Sequence, residues 1–309
     1  MTGLGALEVL KLAIYYGSWL YFPAAAALFW LIAGKQGAVR LAAAVGLIVA
    51  SLVAYGRFVE PRILLTAEHD ITLEACAPQA GEVRLAVVSD IHAGLFGNAM
   101  PVSRIARRIE AADVDATLIA GDFIYFLHPD KMEETFAAFR TVSTPVYAVL
   151  GNHDIGRPGP DLGEALREHL PSAGIMIVDN RTVLLEGERI DLELVGLSDL
   201  WGREQQLSLL NTDARRPRIV LTHNPATIYD LRPGMSADLL IGGHTHGGQI
   251  KIPFLTCALT GVCAENDYGL RNQSGMPVFT TSGTGMVGLP MRFRVPPRID
   301  ILNLGYSSC

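Results

Sequence analysis

From Leu12 to Ala33 the chain carries no charged side chain. At about 1.5 Å of rise per residue, a helix of that length crosses the roughly 30 Å hydrocarbon core of a bilayer. Lys35 and Arg40 follow, and Leu41 to Gly56 forms a second uncharged run, bounded by Arg40 and Arg57. Val39, Phe58 and Val59 extend it, and long basic side chains at its ends can reach the interface. The pattern predicts two transmembrane helices, about residues 12–33 and 39–58, joined by a tight turn at Gly34 to Gly37.

A secretory signal peptide competes for the first run. That run is long for a signal core, however, and lacks a basic leading segment and a small-residue cleavage site. A single span followed by a helix buried in the globular part is the other alternative. The expectation is a membrane anchor over residues 1–60, a multi-pass protein of the cell (inner) membrane, and a catalytic domain over residues 61–309. Orientation stays open. Lys35 and Arg40 on one side nearly balance Lys11, Arg57 and Arg62 on the other under the positive-inside rule.

The net charge of −6 argues against a duplex nucleic-acid binder, which needs clustered Lys and Arg against phosphates. The four cysteines, Cys76, Cys257, Cys263 and Cys309, show no C-x-x-C spacing, so no structural zinc site is implied. Cys257 and Cys263 could pair on an oxidising face of the membrane, or could be free thiols in an apolar segment.

Beyond Pro61 short apolar runs recur, each ended by Gly, Asp or Asn: Val83–Ser89, Ala116–Ala120, Pro145–Leu150, Leu192–Leu197, Arg218–Thr222 and Asp238–Ile241, with Pro277–Thr281 and Arg298–Leu302 later. Their length and β-branched content suit buried strands. Helical patterns lie between them. Met100–Ala112 spaces Ile105 and Ile109 four apart, Asp130 can cap Lys131–Arg140, and Asp161 with Glu164 has capping-box spacing before Ala165–Leu170. Alternating strand and helix predicts an α/β domain.

The polar residues fall at the ends of these strands. Val83–Ser89 runs into Asp90-Ile91-His92, and Ala116–Ala120 into Gly121-Asp122. Pro145–Leu150 runs into Gly151-Asn152-His153-Asp154, Arg218–Thr222 into His223, and Asp238–Ile241 into Gly242-Gly243-His244-Thr245-His246. Ligands of open α/β sheets gather outside the carboxyl ends of the strands. Carboxylates suit hard ions and imidazoles suit Zn²⁺, Fe and Mn²⁺, so a mixed Asp/His/Asn set points to divalent Mn²⁺, Fe or Zn²⁺ more than to Ca²⁺. Taken singly, Asp90, Asp122 and Asn152 have a plain alternative as turn or cap residues. His69, His128 and His169 have no such partners. Asp199 and Trp201 read as structural or packing residues, with Asp199 a candidate for the cleft wall.

Asp-x-His, Gly-Asp, Gly-Asn-His-Asp, a lone His and Gly-His-x-His, in that order, resemble the calcineurin-like metallophosphoesterase superfamily over roughly residues 83–303. The Gly-Gly-His-Thr-His-Gly-Gly-Gln segment, Thr280-Thr-Ser-Gly-Thr-Gly and Pro296-Pro-Arg-Ile resemble its bacterial membrane-anchored phosphodiesterase branch. The resemblance implies a four-layer α-β-β-α sandwich of two mixed sheets. It implies a dinuclear centre with Asp90, His92 and His246 on one ion, Asn152, His223 and His244 on the other, and Asp122 bridging. It implies His153 as general acid, with Asp154 orienting it. The expected activity is phosphate-ester hydrolysis, with Mn²⁺ the favoured ion.

Two alternatives stand beside it: a lipid-linked pyrophosphatase, such as a UDP-2,3-diacylglucosamine hydrolase, and a non-catalytic metal-binding scaffold. The apolar segments Ile250–Val262 and Met286–Phe293 either pack in the core or border the cleft and dip into lipid. In the second case Arg292 and Arg294 would meet anionic head groups and the substrate would be lipid-linked.

Overall fold

The computed structural model describes residues 4–77, 80–97, 99–186, 190–211, 216–253, 256 and 267–309. Cys257 and Cys263, and with them Phe254, Leu255, Leu259 and Val262, lie outside the described residues.

The chain opens with helices α1 (Ala6–Gly17), α2 (Tyr21–Gly34) and α3 (Gly37–Ala54). A 3-10 turn joins α1 to α2, and helical turns continue α3, giving two apolar helical segments, Ala6–Gly34 and Gly37–Arg62, each long enough to cross a membrane. Both exceed the predicted limits of 12–33 and 39–58, because turns carrying Glu8 and Lys11 at one end and Glu60 and Arg62 at the other stay helical. The break falls at Gly34 to Gly37, as expected, with Gly37 at a φ of +59°.

The strands and remaining helices are, in order, β1 (Leu65–Ala77), β2 (Gly81–Val88), β3 (Ala93–Gly94), α4 (Val102–Glu110), β4 (Ala116–Ala120), β5 (Ile124–Tyr125), α5 (Met132–Phe136), β6 (Val146–Val149), α6 (Gly163–His169), β7 (Ile175–Ile177) and β8 (Arg181–Glu186). Then come β9 (Asp191–Gly196), β10 (Arg218–Leu221), β11 (Leu239–Gly242), β12 (Gly269–Gln273), β13 (Met276–Thr280) and β14 (Arg298–Ser308). Twelve of the strands build two six-stranded sheets, ordered β1-β14-β2-β4-β6-β7 and β12-β13-β11-β10-β9-β8, and β3 pairs with β5 separately. Each sheet is mixed: antiparallel at β14/β2 in the first and at β12/β13 and β8/β9 in the second, parallel elsewhere.

The two faces of each sheet explain the layers, because strand side chains alternate between faces. In β2, Ala86 and Val88 join Ile105 and Ile109 of α4 and Phe136 of α5, while Leu85 and Val87 join Leu194, Ile219 and Ile241 of the other sheet. The outer face of the second sheet, with Val195, Val220 and Leu240, is covered by Leu210 and Ile228. These two lie on short 3-10 segments rather than α-helices, so the fourth layer is thinner than the first.

Two cap predictions fail locally. His128, not Asp130, caps the turn before α5, its Nδ1 accepting from Asp130 N at 3.3 Å, and 131–140 divides into α5 and a 3-10 segment. Asp161 accepts from Gly163 N at 3.1 Å, but the residue entering α6 is Leu162 and no capping box forms.

Candidate metal centre

The predicted ligands leave neighbouring strands at one edge of the sandwich. β2, β4 and β6, adjacent in the first sheet, deliver Asp90 and His92, Asp122, and Asn152; β10 and β11, adjacent in the second, deliver His223, His244 and His246. The turns are tied together by backbone bonds from Asp90 N to Gly121 O (3.0 Å), His92 N to Asp122 O (3.0 Å) and Gly243 N to His223 O (2.9 Å). The two sheets are joined directly beneath the site, where His223 Nδ1 lies 2.7 Å from the Ala120 carbonyl.

Asp90, His92, Asp122, His244 and His246 all lie in the left-handed region, with φ from +47° to +68°. Each such non-glycine residue costs on the order of 1 kcal/mol, and such residues concentrate at functional sites. This sharp turn just past the strand aims each side chain back over the sheet edge. Close backbone approach is needed too: a Cβ on Gly151 would collide with the Asp122 carboxylate, and one on Gly243 with the Ser89 side chain.

All seven side chains converge. His92 Nε2 lies 3.0 Å from His246 Nε2 and 3.5 Å from Asp122 Oδ2, and Asp90 Oδ1 lies 3.3 Å from His246 Nε2. On the other flank, His223 Nε2 lies 3.2 Å from Asp122 Oδ2 and 3.0 Å from Asn152 Oδ1, while His244 Nδ1 lies 2.9 Å from the same Asn152 oxygen. Asn152 Nδ2 donates to Arg157 O at 2.5 Å, which turns its oxygen inward.

The arrangement fits cations. In its neutral form His223 donates Nδ1–H to Ala120, so the Nε2 lone pair faces a carboxylate and an amide oxygen: acceptors meet acceptors. Asp90 Oδ1 and His92 Nδ1 are buried and have no hydrogen bond among the described residues. Asp90, His92 and His246 place donor atoms within 4.8 Å of one another, as do Asp90, Asp122 and His223.

Electrostatics favour the neutral form at His92, His244 and His246 and call for a positive charge between His223 and Asp122. Burial pushes Asp90 up to about 7 and His92 and His244 down to about 3; it also holds His246 well below its ordinary value, helped by His92 and Arg292. Neutral imidazoles of this kind are the form that binds metal. Burial opposes charge on both Asp122 and His223, but their mutual attraction outweighs it, holding the carboxyl below its usual range and the imidazole well above.

His153 sits beside this cluster. Its ring contacts His92 edge-on at 5.0 Å and Tyr125 at 4.9 Å, and its Nδ1 meets the Pro158 carbonyl at 3.1 Å. Asp154, expected to orient His153, has other partners. The Asp154 carboxylate is fully buried and accepts from the backbone N–H groups of Phe123 (3.2 Å), Ile124 (3.1 Å) and Gly151 (2.9 Å). It holds the Asp122 and Asn152 loops together, and the Pro158 carbonyl fixes the His153 ring.

Arg292 is corrected as well. It is fully buried rather than directed at head groups, donating to the carbonyls of Gly285 (2.7 Å), Val295 (3.1 Å) and Ser282 (3.0 Å) behind His246. Burial pushes its guanidinium down to about 10. Arg294 is exposed.

Asp199 caps the turn at Leu200–Gly202 through Trp201 N (2.8 Å), which places the half-exposed Trp201 ring edge-on to His244 at 4.9 Å, at the cleft rather than in the core. His69 pairs with Asp300 at 3.0 Å, in the first sheet. Two residues near the site are not legible as site residues in the sequence: Tyr125, buried in an apolar run, and Lys11, which counts there only toward membrane orientation and whose Nζ donates to Tyr125 Oη at 2.6 Å. A lysine inside an apolar helix was the available signal.

Comparison with known proteins gives a consistent result. The calcineurin-like phosphoesterase family model matches residues 83–248. The chain is 31% identical over 238 residues to the phosphodiesterase YaeI of Escherichia coli (strain K12), covering 73% of this chain and 83% of that protein. It is 28% identical over 240 residues to an uncharacterized metallophosphoesterase of Helicobacter pylori (strain J99), covering 72% of this chain and 60% of that protein. It is 23% identical over 311 residues to the UDP-2,3-diacylglucosamine pyrophosphatase LpxG of Chlamydia muridarum, covering 82% of this chain and 93% of that protein.

Proposed function

Because the chain belongs to the calcineurin-like phosphoesterase family and is a phosphoester hydrolase, we propose that it cleaves a phosphodiester or pyrophosphate at a membrane surface through a pair of divalent ions. The observation that carries this reading is the convergence of seven donor side chains from both sheets on one buried, acceptor-rich pocket. Asp90, His92 and His246 would hold one ion and Asn152, His223 and His244 the other, with Asp122 available to both. Mn²⁺ is the ion proposed for this mixed oxygen and nitrogen set, with Fe and Zn²⁺ as alternatives.

When bound, the two ions supply positive charge to the ester oxygens and acidify a water. The chain's own contribution is placement and one proton. Pro158 takes the Nδ1–H of His153, so a second proton, attracted by an anionic phosphate, resides on Nε2 and is delivered to the leaving oxygen. Burial otherwise keeps this imidazole below its ordinary pKa, which leaves the ring neutral until the anion arrives.

The catalytic portion occupies the exported face. Cys76 and Cys309 form a disulfide, and such bonds persist in oxidising compartments. Lys35 and Arg40, exposed at the turn between the two helical segments, then lie on the cytoplasmic side; the near balance with Lys11, Arg57 and Arg62 leaves the disulfide as the deciding observation. Membrane-impermeant reductant and maleimide applied to intact cells should label Cys76 and Cys309; labelling only after lysis overturns this placement.

The activity is tested on full-length protein in detergent micelles, stripped of metal and assayed on bis(p-nitrophenyl) phosphate. Turnover should vanish on stripping and return with Mn²⁺. Asp122→Ala should no longer hold two equivalents of metal, whereas His153→Ala should hold both and turn over about 10²–10⁴-fold more slowly. Absence of turnover of mono-, di- and pyrophosphate esters with both ions bound would favour a scaffold.

A further inference from the structure

The first helix does more than cross a membrane. Its Lys11 ammonium reaches Tyr125, whose ring touches both His153 and His92. Tyr15, one turn on, stacks on Phe96 at 5.6 Å. From the second helical segment, Arg57 donates to Ser18 Oγ at 3.1 Å and Tyr15 O at 3.3 Å and covers the Tyr15 ring at 3.9 Å. The helix is therefore clamped against the catalytic fold from both sides.

Between this helix and the sheets lies an open cavity of about 570 Å³. His244 and His246 stand at its inner end. One wall is Leu7, Leu10 and Ile14 of α1; the other is Ile250, Val287 and Leu289. The second wall is pinned by Gln249, which donates from Nε2 to the carbonyls of Val287 (2.8 Å) and Leu289 (2.9 Å) and accepts from Val287 N (3.0 Å). Leu7, Leu10, Ile14 and Leu289 remain 42–58% exposed, although they face a phosphoester site. Lys11 is the one ammonium among the described lining residues.

From this juxtaposition, and resting on the phosphoesterase reading above, we infer that the substrate is an amphiphilic phosphoester. Its hydrocarbon tail lies between α1 and the Val287–Leu289 segment, and an anionic oxygen of its head meets Lys11. The groove joins the metal centre at one end and is walled by a membrane-spanning helix along its length, so a tail can enter from the bilayer while the phosphate stays at the sheet edge. A small water-soluble ester would leave these apolar walls unused. Leu10 and Leu289 grip the tail, and Lys11 positions the head.

The test uses full-length, Mn²⁺-loaded protein in nanodiscs of one fixed phospholipid composition. Substrates are p-nitrophenyl alkyl phosphodiesters from methyl to octyl, below their aggregation concentrations. In the wild type kcat/KM should climb with chain length, by at most roughly fourfold per methylene. The octyl-to-methyl ratio is the readout, because it is insensitive to the fraction of protein folded. Leu10→Gln and Leu289→Gln should each lower it tenfold or more, while Leu41→Gln, on the lipid-facing side of the second helical segment, should leave it unchanged.

Lys11→Met should raise KM about tenfold for every ester, with Lys11→Arg recovering most of the loss; an unaltered KM in Lys11→Met removes the ammonium from the assignment. Equal ratios in the wild type and both groove variants overturn the tail site and indicate a resident bilayer lipid instead. Loss of metal-dependent turnover even of the methyl ester overturns the phosphoesterase reading itself, a separate and recognisable result.

Discussion

The imidazoles of His92 and His246 face each other with their Nε2 atoms 3.0 Å apart and their rings inclined by only 14°. Both are buried and held neutral, so only one of the two can carry a hydrogen toward the other. A shared cation resolves the contact for both rings at once. His92→Ala or His246→Ala should therefore lose about one equivalent of metal, and the double variant should be little worse than either single one, because the two rings act as a unit. Elemental analysis of purified protein measures this; two retained equivalents in either single variant would count against the assignment.

Asp154 accepts three backbone N–H groups and makes no bond to the His153 imidazole among the described residues. Asp154→Ala leaves those buried donors unpaired, at about 1–3 kcal/mol for each unsatisfied group and with partial relaxation. The expected loss of stability is roughly 2–5 kcal/mol, accompanied by weaker metal binding. Denaturant titration with and without Mn²⁺ reads both. Unchanged stability with reduced kcat would restore a role for Asp154 in orienting His153.

At Gly243 an added methyl group meets the Ser89 side chain and lies 2.8 Å from Asp90 Oδ2. Gly243→Ala should displace Asp90 from its proposed place as a metal ligand. The global stability change should be about 1–3 kcal/mol, in the range of overpacking substitutions. Metal affinity should fall more than stability does, and isothermal titration of the stripped protein against Mn²⁺ distinguishes the two effects.

The disulfide between Cys76 and Cys309 closes the paired ends of β1 and β14 across a separation of 233 residues. Cys309→Ser should lower stability by about 2–4 kcal/mol, chiefly through a less constrained unfolded chain. The bond lies beyond Tyr306, which pairs with Gly81 at the start of β2, whereas the candidate ligands follow the other end of that strand, so kcat below the unfolding transition should not change. Thermal melts with parallel assays test both statements; a variant that melts like the wild type would mean the bond does not form.

The difference between sequence and structure lies in the range of the forces involved. Hydrophobic periodicity is local, so the two apolar helical segments and strands such as Ala116–Ala120 are legible from adjacent residues. Chain polarity at strand ends is local as well, and it singles out Asp90, His92, Asp122, Asn152, His223, His244 and His246, whose side chains the fold brings together. β1 escaped notice because it is an edge strand: Glu68, Asp70 and Glu74 interrupt its apolar pattern, and its stability comes from pairing with β14 more than two hundred residues away.

Several further features were decided only by tertiary packing. The partner of Cys76 follows from the register of β1 against β14. The ring of His153 is held by Pro158 rather than Asp154 because the buried carboxylate is taken up by nearer backbone donors. Arg292 turns inward because three carbonyls compensate its burial. Lys11 reaches the catalytic pocket because α1 is clamped between Phe96 and Arg57. In each case the deciding interaction joins segments that are distant in sequence, or settles a competition between neighbours, and residue order alone does not contain its energy.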